Sequence, residues 1–420
     1  MAQDVVVVGL GYVGLPLAQE ASRAGMRVLG FDASAAVVDG LNAGKSHVDD
    51  LTDADISEMV NHGFEATTDS SRISEAKVAV ICVPTPLSND GLPDLAYVKS
   101  AAGAIAENLN PGMLVILEST TYPGTTDEIL RPILESTGRR AGEDFHLVFS
   151  PERIDPGNEK FGAKNTPKVV GGHTPACADA AVDFYGKFID KVVKTSGTRE
   201  AETAKLLENT YRHINIALVN EMAQFCHELG IDLWDVIDAA KTKPFGFQAF
   251  YPGPGVGGHC IPIDPNYLSH NVRAKLGYPF RFVELAQEIN ATMPQYVVRR
   301  AQDILNDDSK ALRGSTVLLL GVTYKPNIAD QRESPAVPIA KLLLNAGANV
   351  QFHDPFVAQW DAMAGRVPRA EQLENAVEEA DLTILLQNHS DYDIPALAAA
   401  SQEFFDTRGK APRGDRVYRL

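Results

Sequence analysis

The chain has 420 residues, which is enough for two or three domains, and its 45% hydrophobic and 22% charged residues are ordinary for a soluble globular protein. The net charge of −17 argues against a general affinity for nucleic acids or anionic membranes. A local basic pocket for phosphate groups is still compatible with that charge.

Neither the cysteines nor the apolar runs indicate a secreted or membrane protein. The four cysteines lack CxxC spacing, so we predict neither a disulfide framework nor a zinc site, and no bound metal. The amino terminus leads into an apolar strand without the charged region of a signal peptide. No apolar run reaches the roughly 18 residues of a membrane span. We therefore expect a cytoplasmic protein.

The stretch up to Asp32 contains the complete pattern of a dinucleotide-binding unit. A strand is followed by a GxGxxG turn, a helix, a second strand and an acid: Val5–Val8, Gly9, Gly11, Gly14, about Leu15–Ala24, Arg27–Phe31 and Asp32. Such a turn brings the backbone close to a pyrophosphate at a helix N-terminus. The acid can bind ribose hydroxyls and would repel a 2′-phosphate, which favours NAD over NADP. A glycine turn alone can serve helix packing only, but its context here predicts a cofactor site that includes Tyr12 and Val13.

Three more strands are predicted before residue 150, and each runs into a polar loop. The strands are Lys77–Val83, Met113–Glu118 and Phe145–Phe149. Open parallel sheets bind ligands at the carboxyl ends of their strands. The loops supply these candidate polar residues: Thr85, Thr121, Glu152 and Arg153. Cys82, within the first of the three strands, is predicted to be a core residue.

A long helix is predicted from about Thr198 to Leu229. Lys205, Asn209 and Arg212 fall at i, i+4 and i+7 and share one face of this helix. That face fits either solvated surface or a functional site, and the pattern alone leaves both open. Further helices are predicted over Ile231–Ala240 and Phe280–Asp303, the second with a kink or break at Pro294.

The glycine- and proline-rich loop Phe250–Asp264 presents Cys260 four residues before the carboxylate of Asp264. Glycines let a backbone lie close against a ligand, and prolines stiffen the loop. A thiol presented in this way is a candidate nucleophile if a nearby charge stabilises its thiolate. The alternative is a buried structural cysteine beside a tight turn. The neighbouring His259 is predicted to be structural.

A third unit begins near residue 310 and again alternates strands with helices. Its predicted elements are strands Ser315–Leu320, Val350–His353, Leu382–Leu386 and Glu403–Phe405, with a helix over Pro338–Asn345. It lacks the GxGxxG glycines, so it could hold a nucleotide without being the redox site. Sequence similarity supports no claim of an internal repeat. The predicted fold class is α/β, with two doubly wound Rossmann-like domains (1–197 and 309–420) joined by a central helical domain with a long helix (198–308).

Taken together, eight motifs resemble those of the nucleotide-sugar 6-dehydrogenases, the family of UDP-glucose and GDP-mannose dehydrogenases. Each is modest alone, but their order and spacing along nearly the whole chain are specific. The resemblance implies four-electron oxidation of the C6 alcohol of a UDP-hexose to the uronic acid, with two NAD⁺ and no metal, for polysaccharide biosynthesis. The motifs are GLGYVGLP at Gly9–Pro16, VPTP at Val83–Pro86, STTYPGTT at Ser119–Thr126, SPER at Ser150–Arg153, AKLLEN at Ala204–Asn209, GVGGHCIPIDP at Gly255–Pro265, GVTYKPNIADQRESP at Gly321–Pro335 and DTR at Asp406–Arg408.

The resemblance makes Cys260 the nucleophile that converts the aldehyde to a thiohemiacetal, whose oxidation leaves a thioester for water to hydrolyse. Lys205 is then the residue that favours the thiolate. Together with Asn209 it would also stabilise negative charge on the C6 oxygen.

The proton transfers are implied to involve two carboxylates. Asp264 would act as a base through a water that Thr121 helps to position. Glu152 would activate the hydrolytic water or assist the first deprotonation. How the proton work divides among Asp264, Glu152 and Lys205 is left open.

Substrate binding is implied for residues of all three parts of the chain. Lys325 and Arg332 match positions that contact the diphosphate, where a guanidinium can donate two coplanar hydrogen bonds; surface charge in a loop is the alternative. The full predicted set is Glu152, Arg153, Lys205, Asn209, Tyr251, Gly255, Gly257, Lys325 and Arg332.

Two departures from the family pattern qualify this prediction. After Asp32 the chain continues with small residues where relatives often carry a basic residue that packs on adenine, so NAD affinity is expected to be ordinary or weak. Pro244 replaces an arginine of some UDP-glucose enzymes. With this segment, Lys241–Phe247, the chain looks most like members that oxidise UDP-N-acetylglucosamine; UDP-glucose, UDP-N-acetylmannosamine and UDP-N-acetylgalactosamine are the rival substrates. The family buries its central helices between subunits, which implies a homodimer or larger assembly.

Two other classes of function compete with this one. A nucleotide-binding protein without turnover should lack the thiol or its partners, yet all of them are present. A two-electron dehydrogenase of the hydroxy-acid type shares the amino-terminal pattern but needs no cysteine. Neither accounts for the third unit.

Overall fold

A computed structural model describes residues 3–48, 51–86, 94–154, 160–258, 261 and 263–420. The predicted nucleophile Cys260 and its neighbour His259 lie outside these residues. The chain forms two compact units, one comprising Met1–Glu208 with Asn266–Gly277 and the other Asn209–Pro265 with Tyr278–Leu420.

The first unit is built on an eight-stranded sheet. Its strands are β1 Gln3–Val8, β2 Val28–Phe31, β3 Glu65–Thr67, β4 Ala76–Ile81, β5 Leu114–Leu117, β6 His146–Phe149, β7 Lys168–Gly172 and β8 Val192–Lys194. They lie in the order β3-β2-β1-β4-β5-β6-β7-β8, and only the β6–β7 pair is antiparallel. The part from β3 to β6 has the strand order of a doubly wound dinucleotide-binding fold, with its switch point between β1 and β4.

Burial on both faces explains why these strands are continuous apolar runs. In β1, Val5 and Val7 join one hydrophobic cluster, whereas Val6 and Val8 join another. Successive side chains of a strand point to opposite faces, so a run without polar residues fits only a sheet that is covered on both sides.

Helices cover the sheets and connect the two units. They are α1 Gly14–Arg23, α2 Ala35–Asn42, α3 Asp53–Asn61, α4 Ala96–Glu107, α5 Arg131–Glu135, α6 Pro175–Tyr185, α7 Thr198–Glu228, α8 Leu233–Ala240, α9 Asp264–Leu276, α10 Arg281–Asp307, α11 Ala336–Ala346, α12 Leu373–Glu379 and α13 Ile394–Ala400. Local signals set several of their ends. Thr52 and Asp55 form a capping box at α3, and the Asp232 side chain accepts from two amides at the start of α8.

The second unit contains a five-stranded, wholly parallel sheet. Its strands are β9 Thr316–Leu320, β10 Asn349–His353, β11 Leu382–Leu385, β12 Phe404–Asp406 and β13 Val417–Arg419, in the order β10-β9-β11-β12-β13. The strand order therefore reverses between β9 and β11, which creates a second switch point. The predicted fold class is confirmed: α/β, with two doubly wound parts and a helical part that contains the long helix α7.

Of the two outcomes predicted at Pro294, a kink or a break, the break does not occur. Helix α10 continues through Pro294. Met293, Pro294 and Val297 are buried, and Met293 and Val297 belong to the second unit's core. This packing outweighs the local cost of the proline.

No helix in the described residues is long and apolar enough to cross a membrane. The same residues hold no group of three or more His, Cys, Asp or Glu side chains arranged to bind a metal ion.

Candidate active site

The glycine turn after β1 uses its three glycines in different ways. Gly9 has φ +94°, and a Cβ there would lie 2.9 Å from the Cys82 carbonyl oxygen. At Gly14 a Cβ would lie 1.9 Å from the carbonyl oxygen of Gly9. A Cβ on Gly11, in contrast, would meet no atom within 4 Å in the described structure. Packing therefore explains Gly9 and Gly14, while the space at Gly11 fits a ligand that approaches the backbone closely.

Asp32 follows β2 and lies beside this turn. One carboxylate oxygen accepts from the Leu10 amide at 3.0 Å, and the other accepts from the Ser34 amide at 2.9 Å. The side chain is still partly exposed. Tyr12 is 40% exposed and Val13 is half-buried at the start of α1. The predicted cofactor residues up to Asp32 are thus brought together at one edge of the sheet.

The loops after β4 and β5 add two threonines at the same edge. Thr85 donates its hydroxyl to the Thr120 carbonyl oxygen at 2.7 Å. Thr121 is 1% exposed, yet its hydroxyl has no hydrogen-bond partner within the described part of the chain. A buried hydroxyl without a partner is unusual, and a bound ligand or water would satisfy it.

Glu202 of α7 fixes the loop that follows Thr121. Its buried carboxylate accepts from the Gly124 amide at 2.6 Å, the Thr126 amide at 2.9 Å and the Thr126 hydroxyl at 2.7 Å. Burial raises the pKa of Glu202 to about 7, although these hydrogen bonds oppose the rise. Sequence analysis did not identify this residue.

The predicted polar face of α7 is only partly solvated. Lys205 is 8% exposed and Asn209 is 5% exposed, whereas Arg212 is exposed. Lys205 donates to the main-chain oxygen of Glu152 at 2.6 Å within the first unit. Solvated surface is therefore the wrong interpretation for Lys205 and Asn209.

Glu152 follows β6 with both carboxylate oxygens held. Oε1 accepts from the Arg153 amide at 2.7 Å and the Ile154 amide at 2.5 Å, and Lys168 donates to Oε2 at 3.2 Å. Burial opposes ionisation, but the charge of Lys168, the Ile154 amide and the charge of Lys205 outweigh it and hold the pKa of Glu152 below its usual value.

The side chain of Arg153 is engaged within the first unit. It forms an ion pair with Glu208 at 2.8 Å and donates to the Pro167 carbonyl oxygen at 2.6 Å. These contacts give Arg153 a structural task in addition to the predicted contact with substrate.

In the second unit, Asn209 and Asp264 meet. The Asn209 side-chain amide donates to the Asp264 carboxylate, and Asp264 is 3% exposed. A buried carboxylate needs such donors. The sequence separated these residues by a helix and a loop, and the structure brings them into direct contact.

The glycines before Cys260 are packed against the loop that follows β9. A Cβ on Gly257 would lie 2.7 Å from the Glu333 carbonyl oxygen, and one on Gly258 would lie 2.7 Å from the Tyr324 ring. Gly255 has φ +142°, and a Cβ there would lie 2.9 Å from Pro335. Close packing within the second unit is therefore one reason for these glycines, beside the predicted approach to a ligand.

The remaining predicted substrate residues also lie in the second unit. Tyr251 is 42% exposed and stacks on Trp234 of α8, with ring centroids 5.5 Å apart. Arg332 forms a bidentate pair with Asp330, with its Nε at 2.8 Å and 3.0 Å from the two oxygens. Lys325 accepts a hydrogen bond from the Thr323 hydroxyl through its carbonyl oxygen. A phosphate would have to compete with Asp330 for the Arg332 guanidinium.

The chain matches the three domains of one protein family, in the order in which they follow one another along the sequence. The UDP-glucose/GDP-mannose dehydrogenase family's NAD binding domain matches residues 3–189, its central domain matches 199–292, and its UDP binding domain matches 318–411.

Individual relatives extend over nearly the full length. The chain is 36% identical over 403 residues to the UDP-N-acetyl-D-glucosamine 6-dehydrogenase of Pseudomonas aeruginosa, covering 95% of this chain and 91% of that protein. It is 34% identical over 421 residues to the UDP-N-acetyl-D-mannosamine dehydrogenase of Salmonella typhi, covering 96% and 98%. Among solved structures, the UDP-D-ManNAc dehydrogenase of Pyrococcus horikoshii matches with a TM-score of 0.89 and 31% identity over 99% of both chains.

Proposed function

The chain belongs to the UDP-glucose/GDP-mannose dehydrogenase family and is an NAD-dependent oxidoreductase, and we propose that it oxidises the C6 alcohol of a UDP-N-acetylhexosamine to the uronic acid. The observation that carries this proposal is the ordered match of the NAD binding, central and UDP binding domains along one chain. We assign the NAD binding domain to residues 1–197, the central domain to residues 198–308 and the UDP binding domain to residues 309–420.

NAD fits the edge of the first sheet. Three observations support this: the space at Gly11 admits a close backbone approach, the Asp32 carboxylate beside it is partly exposed, as a contact with ribose hydroxyls requires, and Thr121 carries a hydroxyl that lacks a partner in the described chain. When bound, NAD⁺ supplies the hydride acceptor for both oxidations. Tyr12, Val13 and Thr85 complete the proposed cofactor site.

The overall reaction consumes one alcohol, two NAD⁺ and one water. With that hydride acceptor in place, the alcohol would first lose a proton to a base and a hydride, which gives the aldehyde. The Cys260 thiolate adds to the aldehyde, and loss of the second hydride leaves a thioester on Cys260. Water then attacks the thioester carbonyl, the cysteine leaves as thiolate, and the carboxylate product forms. This role of Cys260 rests on the motif, since the residue lies outside the described structure.

The proposed roles of the polar residues agree with their surroundings. Asp264 serves as a base, and the Asn209 amide that donates to it fixes its orientation. The buried ammonium of Lys205 provides positive charge for the thiolate and for the C6 oxygen. Glu152 is held as a carboxylate, which suits a base for the hydrolytic water.

The diphosphate is assigned to Lys325 and Arg332. Arg332 has a half-exposed side chain, so phosphate oxygens can replace those of Asp330 as partners of its guanidinium. We assign Arg153, Tyr251, Gly255 and Gly257 to the remaining substrate contacts.

An assembly through the central helices is part of the proposal. Tyr211, Leu218 and Phe225 lie seven residues apart on α7 and form one stripe, and Leu229 follows four residues later, directly after the helix ends at Glu228. Their exposures are 45%, 52%, 47% and 68%. Such a stripe on a long helix suits a contact between two copies of the chain.

UDP-N-acetylglucosamine is our first candidate substrate, because the Lys241–Phe247 segment looks most like that of the members that act on it. UDP-N-acetylmannosamine is the second, because several relatives of similar identity are named for it. The test is kcat/KM with both sugars, UDP-N-acetylgalactosamine and UDP-glucose. We expect UDP-N-acetylglucosamine to exceed each of the others by ~10-fold or more. A preference for UDP-glucose would contradict the hexosamine assignment while leaving the reaction class intact.

A further inference from the structure

The three charges of a buried cluster in the first unit come from neighbouring strands of the sheet. Glu118 follows β5, Glu152 follows β6, and Lys168 begins β7. Since β7 runs antiparallel to β6, with Phe149 paired to Gly171, its first residue lies at the carboxyl edge of the parallel strands. The reversal of β7 thus places a lysine beside two carboxylates at the edge where the candidate site lies.

Lys168 bridges the two carboxylates. Its Nζ lies 3.1 Å from Glu118 Oε1 and 3.2 Å from Glu152 Oε2, and the three side chains are 8%, 0% and 14% exposed. The Tyr185 hydroxyl donates to Glu118, and Nζ lies 5.3 Å from the centroid of the Tyr185 ring. Glu118 and Tyr185 therefore contribute, beside Glu152, to holding the ammonium in place.

The bridge completes the restraint on Glu152. Main-chain amides occupy Oε1, so Lys168 is the side chain that fixes Oε2 in the described structure. A cavity of about 10 Å³ lies against Glu152, Arg153 and Lys168. That volume is the size of one water molecule. A buried ion pair is weak as a device for stability alone, which favours a role tied to Glu152.

We propose that Lys168 is a positioning residue that orients Glu152 to accept a proton from the hydrolytic water, and that Glu118 in turn positions Lys168. The inference rests on the proposed function, in which the thioester on Cys260 is hydrolysed. In that step the water oxygen bonds to the thioester carbon, the water proton passes to Glu152, and the carbon–sulfur bond breaks to return the thiolate.

The charges around Glu152 favour its basic form. The positive charges of Lys168 and Lys205 act on Glu152, while Glu118 and Cys82 act on Lys168. Burial and the neighbouring Glu152 raise the pKa of Glu118, whereas Lys168 lowers it. The pKa of Glu152 is lowered in the same cluster. The cluster thus shifts the pKa values of its two carboxylates in opposite directions, that of Glu118 upward and that of Glu152 downward.

The test compares Lys168→Met, Lys168→Arg, Glu118→Gln and Glu152→Gln in the full-length enzyme, with Lys194→Met as control. Lys194 is a 53% exposed lysine of the same unit, paired with Asp179. In Lys168→Met we expect a burst of two NADH per active site at the wild-type rate, followed by a steady rate that is ~10–100-fold lower. Because only the step after thioester formation slows, kcat/KM for the sugar should stay within ~2-fold while kcat and KM fall together, and Lys168→Arg should recover part of the steady rate.

The pH profile supplies a readout that a purely structural role would not move. Loss of the lysine raises the pKa of Glu152, so the acid limb of the steady rate should shift upward by ~1 unit or more in Lys168→Met. In Glu118→Gln the ammonium pairs with Glu152 alone, so the limb should shift downward. An unchanged limb in Lys168→Met, or an upward shift in Glu118→Gln, would overturn the proposal. Glu118→Gln and Lys168→Arg keep the test available if Lys168→Met does not fold.

A double-mutant cycle separates this inference from the proposed function. If Lys168 acts through Glu152, Lys168→Met should change the steady rate less than ~3-fold in a Glu152→Gln background. Additive losses would contradict positioning. A Glu152→Gln enzyme with full activity would refute the proposed role of Glu152 itself. A slow Glu152→Gln enzyme beside a fully active Lys168→Met enzyme would refute only the role of Lys168.

Discussion

The two sheets of this protein share one local design at their switch points. Gly9 and Gly321 each follow the first strand of their sheet with positive φ. A Cβ on Gly9 would lie 2.9 Å from the Cys82 carbonyl oxygen, and one on Gly321 would lie 2.5 Å from that of Gln387. In both sheets, the glycine permits the first strand to turn tightly beside a neighbouring strand.

The acids after the second strands match as well. Asp32 accepts from the Leu10 and Ser34 amides, and Asp354 accepts from the Val322 and Phe356 amides. In each case one oxygen binds the residue after the glycine and the other binds the residue two positions after the acid.

The two sites differ in what else surrounds the acid. Asp32 stays partly exposed, whereas Asp354 is fully buried and faces His389 Nε2 at 3.1 Å. Because His389 Nδ1 accepts from the Asn327 amide, Nε2 carries the proton and can donate to Asp354. The acid of the first sheet therefore remains accessible to a ligand, whereas the acid of the second sheet binds the loops of its own unit. Any nucleotide at the second sheet must therefore be bound by other groups, such as Lys325 and Arg332.

The largest effect should come from the glycines. We expect Gly321→Ala to lower the free energy of unfolding by ~3 kcal/mol or more, because φ is +77° and the added Cβ would clash with a main-chain oxygen. Gly11→Ala should change stability by less than ~0.5 kcal/mol but weaken NAD binding ~10-fold or more. Denaturant unfolding and NAD titration measure the two quantities. A Gly321→Ala protein of wild-type stability would contradict the claim that Gly321 is needed for its turn as Gly9 is. Normal NAD binding in Gly11→Ala would contradict the proposed approach of NAD to the backbone at Gly11.

A smaller effect should separate the acids. Asp354→Asn should destabilise the protein by ~2–3 kcal/mol, because the new NH2 group would face the Phe356 amide in one orientation, and the Val322 amide and His389 Nε2 in the other, in a buried site. Asp32→Asn should cost about 1 kcal/mol or less, since water can replace a partly exposed oxygen, but should raise KM for NAD ~10-fold. Thermal unfolding and initial rates with NAD and NADP test this contrast. Equal losses of stability in the two variants would show that both acids have the same structural role, and would contradict the proposed difference between them.

The sequence predicted the elements whose signal is local and continuous. The apolar runs of β1 and β9, the glycine turn and the uninterrupted pattern of α7 all predict the observed elements. The shared design of the two switch points escaped detection, because it depends on single glycines and acids, with no similarity between the residues around them.

The buried cluster around Lys168 could not be predicted for a different reason. A single lysine at the start of an apolar strand is ordinary. Lys168 reaches the two carboxylates only because β7 runs antiparallel to β6, and no residue of the strand predicts that direction. Glu202 is similar, since its hydrogen bonds to Gly124 and Thr126 span more than 70 residues of sequence. A single glutamate on the helix predicts neither contact.

The measurement that tests the central proposal most directly is the yield of NADH from a limiting amount of UDP-N-acetylglucosamine, with wild type and Cys260→Ala side by side. The account predicts two NADH per sugar and a uronic acid product for the wild type, with no steady turnover in the variant. One NADH per sugar with an aldehyde product, or undiminished turnover without Cys260, would contradict it.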